Sequence, residues 1–397
     1  MEQVLTDKWV EIDVDAIKKN LQAVHSLLDE KTRLIAVVKA NAYGHGMAET
    51  ARILFQNGVD FFAVSFFSEA VQMRRAGIRS SILVFCPIIL ENELIEAIDL
   101  HLTLSITSPY DWEMLKRVSS GIKSEIRVHL KLETGLGRFG LTEEEATTIV
   151  CEIKQHEKVN IEGIYTHMAD AAANPSYTEK QFASFMQTAD KLKDMGIKIP
   201  VKHCANSAVF LKYPHMHLDG VRLGTLLTGQ YPVGNFAARL DIADPYKFKS
   251  RVVSLRSLNK GSYLGYYRSY RLKRDALIAV IPVGFNDGLN LEVANKASGF
   301  LDLLKSIAKL VLNYFNVPRF NLRVKINGAY YPVRAKVFMQ MALVEIPPGA
   351  EIRIGDEVEV PIRKTLASRS LKRVYLHGGK AAKISCEEGT SYVVDEM

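Results

Sequence analysis

Between residues 10 and 240, eight short apolar runs alternate with segments of helical period. The runs are "LIAVVKA" (34–40), "FFAVS" (61–65), "SILVFCP" (81–87), "LTLSIT" (102–107), "EIRVHLKLE" (125–133), "IEGIYTHM" (161–168), "VKHCANS" (201–207) and "DGVRLGTLL" (219–227). Such runs read as buried strands, and the intervening "GMAETARILFQNG" and "SFMQTADKLKDMG" each end in the glycine that commonly stops a helix. Eight β-α units in this length are the arithmetic of an α/β TIM barrel. An open doubly wound sheet is the other topology the pattern allows.

The texture changes after residue 240. "KFKSRVVSLRSLNKGSYLGY", "ALIAVIPVGF", "RVKINGAYYPVRAKVFMQ", "ALVEIPPGAEIRIGDEVEV" and "KRVYLHGGKAAKI" read as strands joined by tight turns. The Asn-Gly of "INGAYYPV" suits a two-residue hairpin, and the Gly-Asp of "IRIGDEVEV" is expected to serve similarly. The reading is a barrel over 10–240, then a β-rich domain over 241–385 on which residues 1–9 pack, and a polar tail at 386–397. A helical insertion near 295–318, within the extra stretch 289–320, is apolar on more than one face. It is expected to pack between elements or at a subunit contact rather than to cross a membrane.

Composition narrows the class. No segment reaches the ~20 apolar residues of a membrane span, and the N-terminus lacks the basic and apolar pattern of a secretion signal. The four cysteines (Cys86, Cys151, Cys204 and Cys386) form no C-x-x-C pair, so no metal site is expected and a reducing cytoplasm is. The net charge is +7 without a basic block interleaved with aromatics, which argues against nucleic acid and suits anionic ligands.

Barrel chemistry sits at the C-terminal ends of the strands. Strand one ends at Lys39, strand five in Lys131 and Arg138, and strand six at His167. Strand seven ends in His203, Asn206 and Ser207, and strand eight in Arg222, Gly224 and Thr225. Barrels often hold phosphate after strands seven and eight, so a phosphate is expected near Ser207, Gly224 and Thr225. A desolvated lysine such as Lys39 forms Schiff bases. Lysine, phosphate cradle and a ring to stack on together suggest pyridoxal phosphate.

"WVEIDVDAIKKNL", "AVVKANAYGHG", "KLETGLGRFG", "YTHMADA", "HCANSA", "VRLGTLLTG", "GYYRSY" and "IPVGFNDG" resemble, in order and spacing, the alanine racemase family, over most of the chain to about residue 290. The resemblance implies interconversion of L- and D-alanine by two bases, Lys39 and Tyr266, with Lys39 also the Schiff-base lysine. It implies that Tyr43, Ser207, Gly224 and Thr225 hold the phosphate, with Asn206 beside them. His167 would pack on the pyridine ring, and Arg222, supported by His203, would face its nitrogen. Arg138 and the backbone of Met339 would meet the substrate carboxylate, and Lys131, carbamylated in some members of the family, would orient Arg138. Tyr266 would enter the barrel of another subunit, which implies a homodimer, and D-alanine supply for the bacterial cell wall is the implied role. A tyrosine ordinarily titrates near ~10, so a base needs a nearby cation such as His167 or an arginine.

The departures cluster on the substrate side. Leu223 stands where the family usually has proline, Thr228 where it often has tyrosine, Gln340 for aspartate and Phe285 for the gate tyrosine. Ala172 falls at the usual gate aspartate, with Asp170 close by, and the C-terminal phosphate-touching tyrosine has no counterpart. The inserted helix is expected to fill the space left by that deletion and reshape access to the site. Serine, lysine, arginine or ornithine therefore remain as alternative substrates, and a non-catalytic cofactor-binding homologue as an alternative role.

Overall fold

The computed structural model of the chain describes residues 7–236, 239–292, 299–315, 317, 321–385 and 392–393. They fall into two compact units, Val14–Pro245 and a second made of Met1–Asp13 with Tyr246–Met397. The barrel therefore begins at 14 rather than 10 and runs to 245 rather than 240, because Lys8–Asp13 is a strand of the second unit's sheet. Cys386 and most of the tail lie outside the described residues.

In the first unit the eight expected strands are all present. They are Arg33–Val37, Phe61–Val64, Ser81–Val84, Thr103–Ile106, Ile126–Lys131, Val159–Tyr165, Val201–His203 and Gly220–Leu223. Strands one to seven each pair in parallel with their neighbours in order, and strand one pairs with strand eight. A single bridge, Ala205 to Val221, joins strands seven and eight and completes the ring. That closure excludes the open sheet. Ile35, Val37, Phe61, Ala63 and Leu83 pack as one apolar cluster on strands one to three. Leu223, at the family's proline position, is fully buried.

Strand one stops two residues before Lys39 because the chain reverses hand there. Ala40, Asn41, Ala42 and Tyr43 have φ of 51°, 55°, 49° and 55°, a left-handed turn that Gly44 closes at 95°. Each non-glycine residue held this way costs roughly 1–2 kcal/mol. Side chains over-determine the turn. The Ala40 N–H donates to Glu69 Oε1 at 2.7 Å, and the Met47 N–H donates to Asn41 Oδ1 at 2.6 Å. Glu69 is buried, and its other oxygen accepts the N–H groups of Ser65 and Phe66 at 2.9 and 3.1 Å.

The second unit is an eleven-stranded sheet. Lys8–Asp13 lies within it, antiparallel to Tyr246–Arg251 and parallel to Arg373–His377. The Asn-Gly hairpin forms as expected. Asn327 and Gly328 both have positive φ and join Arg323–Ile326 to Ala329–Arg334. The Gly-Asp hairpin does not form. Gly355 makes a turn, but only Glu357–Glu359 after it is a strand, and Asp356 accepts the Arg353 N–H instead. The insertion contains one helix, Phe300–Tyr314. It is exposed along its described length except for half-buried Leu312, so it does not pack between elements as expected.

Candidate active site

Strand residues two apart point to the same side. That periodicity carries His129 and Lys131 on strand five, Gly163 and Tyr165 on strand six, and Arg222 and Gly224 at strand eight into the barrel. There Lys131, Tyr165, Arg222 and Gly224 meet Lys39 in a cavity of about 270 Å³, which Tyr43, Phe85, Arg138, Phe139, His167, Asn206, Ser207 and Thr225 also line. Four basic side chains and no carboxylate face this space among the described residues. A cavity of one sign concentrates anions.

Arg222 is buried without a carboxylate partner. Its Nη1 donates to His203 Nδ1 at 2.8 Å and to the His203 carbonyl at 2.9 Å. Its Nη2 donates to the carbonyls of Thr166 and Cys204 at 2.7 and 3.3 Å and lies 3.4 Å from His167 Nδ1. Burial lowers its pKa to about 10, which leaves it a cation near neutrality. A guanidinium cannot accept, so His203 Nδ1 is the acceptor and its Nε2 carries the proton. That proton is donated to His129 Nδ1 at 2.9 Å. Tyr165 stacks on His203 at 4.9 Å and 9°. Burial, with Arg222 second, pushes His129 and His167 down to about 3 and His203 well below its usual value. A histidine held this low is neutral near pH 7, which leaves an arginine as the cation expected beside a tyrosine base.

Burial and then Arg138 lower the pKa of Lys39, and Glu69 pulls the other way. Lys131 is held down to about 8, chiefly by burial, and its ammonium donates to the Phe139 carbonyl. Arg138 lies 4.9 Å from the Phe139 ring centroid on a loop that Glu133 gathers. That carboxylate accepts the N–H groups of Gly135 and Leu136, both at 2.6 Å.

At the rim, Ser207 and Thr225 hydroxyls meet at 3.1 Å. Asn206 Oδ1 accepts the N–H groups of Ala208 and Val209, so its amide shapes this corner. A Cβ at Gly224 would collide with the Tyr43 hydroxyl, so glycine is required for that close approach. Burial raises the Tyr43 pKa, which keeps the phenol a donor. Thr228, in the family's tyrosine position, folds back onto the Thr225 carbonyl at 3.1 Å.

Tyr266 and Met339 belong to the other unit. Tyr266 sits in a short 3-10 turn behind Gly265, with φ of 72°, and is 67% exposed. Its ring meets Phe338 edge-on at 5.1 Å, which places it beside exposed Met339. The carbonyls of Phe338 and Met339 accept the N–H groups of Phe285 and Asn286.

Three residues that shape the site escaped the sequence reading: Glu69, His129 and Tyr165. The spacing of His129 to Lys131, and of Tyr165 to His167, is the same-face signal that could have found two of them.

Comparison with known proteins gives one family. Residues 12–232 match the alanine racemase N-terminal domain, and residues 246–374 match its C-terminal domain. An alanine racemase of Methanococcus maripaludis is 31% identical over 355 residues, covering 89% of this chain and 88% of its own length. Alanine racemase 1 of Oceanobacillus iheyensis is 36% identical over 293 residues, covering 73% and 77% respectively. Among solved structures, the alanine racemase of Clostridium difficile 630 aligns at a TM-score of 0.85 and 27% identity, covering 96% of this chain and 99% of its own. That of Bacillus anthracis with bound L-Ala-P aligns at 0.81 and 25% identity, covering 96% and 98%.

Proposed function

The chain belongs to the alanine racemase family, and from that premise we propose that it is an isomerase interconverting L- and D-alanine with pyridoxal phosphate in the barrel cavity. The observation that carries the reading is the cavity itself. Lys39, Lys131, Arg138 and Arg222 line it with no carboxylate among the described residues, beside the Tyr43–Ser207–Gly224–Thr225 corner. Those residues suit a phosphorylated ring aldehyde. Lys39 would hold its carbonyl carbon, His167 would pack on the ring, and Arg222 would face the ring nitrogen. Tyr43, Ser207, Thr225 and the Gly224 backbone would hold the phosphate.

Pyridoxal phosphate, when bound, supplies an electron sink that acidifies the alanine Cα–H. The chain supplies two bases on opposite faces. Lys39 Nζ, its pKa lowered by burial, exchanges a proton with one face of Cα. The Tyr266 oxygen of a second copy serves the other. Arg222 cannot release its proton at working pH, so it would leave a ring nitrogen facing it unprotonated. Arg138, with the Met339 N–H, receives the substrate carboxylate. Lys131, low enough to be partly neutral, is the amine positioned for carbamylation, which would then anchor Arg138. The reading includes a homodimer with shared sites and a cytoplasmic location.

The test is deuterium uptake at Cα in D2O, with L-alanine and then serine, lysine, arginine and ornithine offered separately. Alanine is expected to exchange and invert fastest, and Tyr266→Phe to lose inversion. Inversion confined to a larger amino acid would remove alanine as the substrate. Bound visible cofactor without exchange on any of them would remove the enzyme reading.

A further inference from the structure

Asp287 is only 2% exposed, a costly place for a carboxylate. Two partners match its burial. Lys8 Nζ donates to Oδ1 at 2.8 Å, and the Gly284 N–H donates to Oδ2 at 3.0 Å. Lys8 comes from the strand Lys8–Asp13, 279 residues away in sequence, and its side chain is mostly buried in turn. The short turn Phe285–Asp287 lies against a second loop. A Cβ at Gly284 would collide with the carbonyl oxygens of Phe338 and Met339, so glycine is required for that approach. The Phe285 and Asn286 N–H groups donate to those same carbonyls at 3.1 and 3.0 Å.

Those two bonds aim a third group. The Phe338 carbonyl and the Met339 N–H belong to one trans peptide plane and point to opposite sides of it. Bonding that carbonyl to Phe285 therefore turns the Met339 N–H away from the turn, and it donates to no group among the described residues. We propose that Lys8 and Asp287 are a positioning pair, whose ion pair makes the Gly284–Asp287 turn a clamp that aims the Met339 N–H at the substrate carboxylate. The proposal rests on the reading above, in which that N–H receives the carboxylate. Both residues act through backbone and not by touching substrate. Without Lys8, Asp287 is a buried carboxylate short of its cation, and the turn must open to hydrate it. Tyr266 is held separately, by its own turn behind Gly265, so the second base keeps its place.

Two measurements on the full-length holoenzyme test it, one of them without substrate. Lys8→Met keeps the stem and removes the charge. It is expected to quicken amide hydrogen exchange, read by mass, in the peptide covering 284–289, with the barrel strands unchanged. It is also expected to raise the KM for alanine about tenfold with kcat within about threefold, the pattern of binding lost equally from ground and transition states. Asp287→Asn, which still accepts the Gly284 N–H, is expected to act likewise, and Lys8→Arg to keep both readouts near wild type. Unchanged exchange in Lys8→Met and Asp287→Asn would overturn the clamp, and so would an arginine variant as impaired as the methionine one. Quickened exchange with an unchanged KM, or a fall in kcat alone, would overturn its part in carboxylate binding. A wild type that turns over no alanine would remove the functional reading and the carboxylate role with it, while the exchange result still decides the clamp.

Discussion

Glu69 holds the turn that presents Lys39, through one bond to the Ala40 N–H and two to the strand-end N–H groups of Ser65 and Phe66. Glutamine in its place would set an NH2 against backbone donors. Glu69→Gln is expected to cost about 2–3 kcal/mol in urea unfolding and to weaken cofactor retention. Equal stability and equal cofactor affinity would show the turn to be self-supporting. The three histidines in and behind the cavity (His167, His129 and His203) give a pH signature. Their folded pKa values are depressed, so the unfolded chain binds protons below about 6.5 that the fold refuses. The stability they add is complete above 6.5 and falls as the pH drops toward 3, by about 1 kcal/mol per pH unit for each histidine. Urea midpoints between pH 7 and pH 5 should fall accordingly, and His129→Gln should flatten the slope. A flat wild-type profile would show that these rings accept protons in place. At this scale, Lys39, His167, His203 and Arg222 were legible because each breaks an apolar run at its end. Glu69 was not, because its partner is a backbone group 29 residues away in sequence.

The left-handed turn after strand one is an element with a measurable energy. Ala40 is exposed, so Ala40→Gly removes backbone strain with little packing lost. It should raise stability by up to about 1 kcal/mol, and Ala40→Val should lower it. If glycine destabilises instead, its greater unfolded entropy outweighs the relief. At the end of the neighbouring strand eight, Gly224→Ala would push against the Tyr43 hydroxyl. Equilibrium dialysis should show cofactor affinity lowered at least tenfold, with dichroism intact. The strands were readable from their apolar runs, and the Asn327–Gly328 hairpin from its turn chemistry. The hand of the turn was not, since "ANAY" carries no glycine to announce it. The Gly-Asp turn misled because the residues before it never pair as a strand.

At the scale of the whole molecule, the proposed sharing of sites predicts complementation. Lys39→Ala and Tyr266→Phe are each expected to be nearly inactive. Unfolded together and refolded as a mixture, they should regain about a quarter of wild-type activity, because half the dimers are mixed and each mixed dimer has one intact site. No recovery would mean both bases come from one chain. The division into barrel and β-rich unit was legible from the change in texture near residue 240. The crossing of Lys8–Asp13 into the second unit's sheet was not, since an amphipathic strand does not name its partner. That crossing sets a timetable. The barrel is contiguous from Val14 to Pro245 and can close while the ribosome is still translating. Lys8–Asp13 is made before the barrel, yet its parallel neighbour, Arg373–His377, is made long after it. Until that neighbour is made, one edge of this short strand stays unpaired, a ready grip for a chaperone.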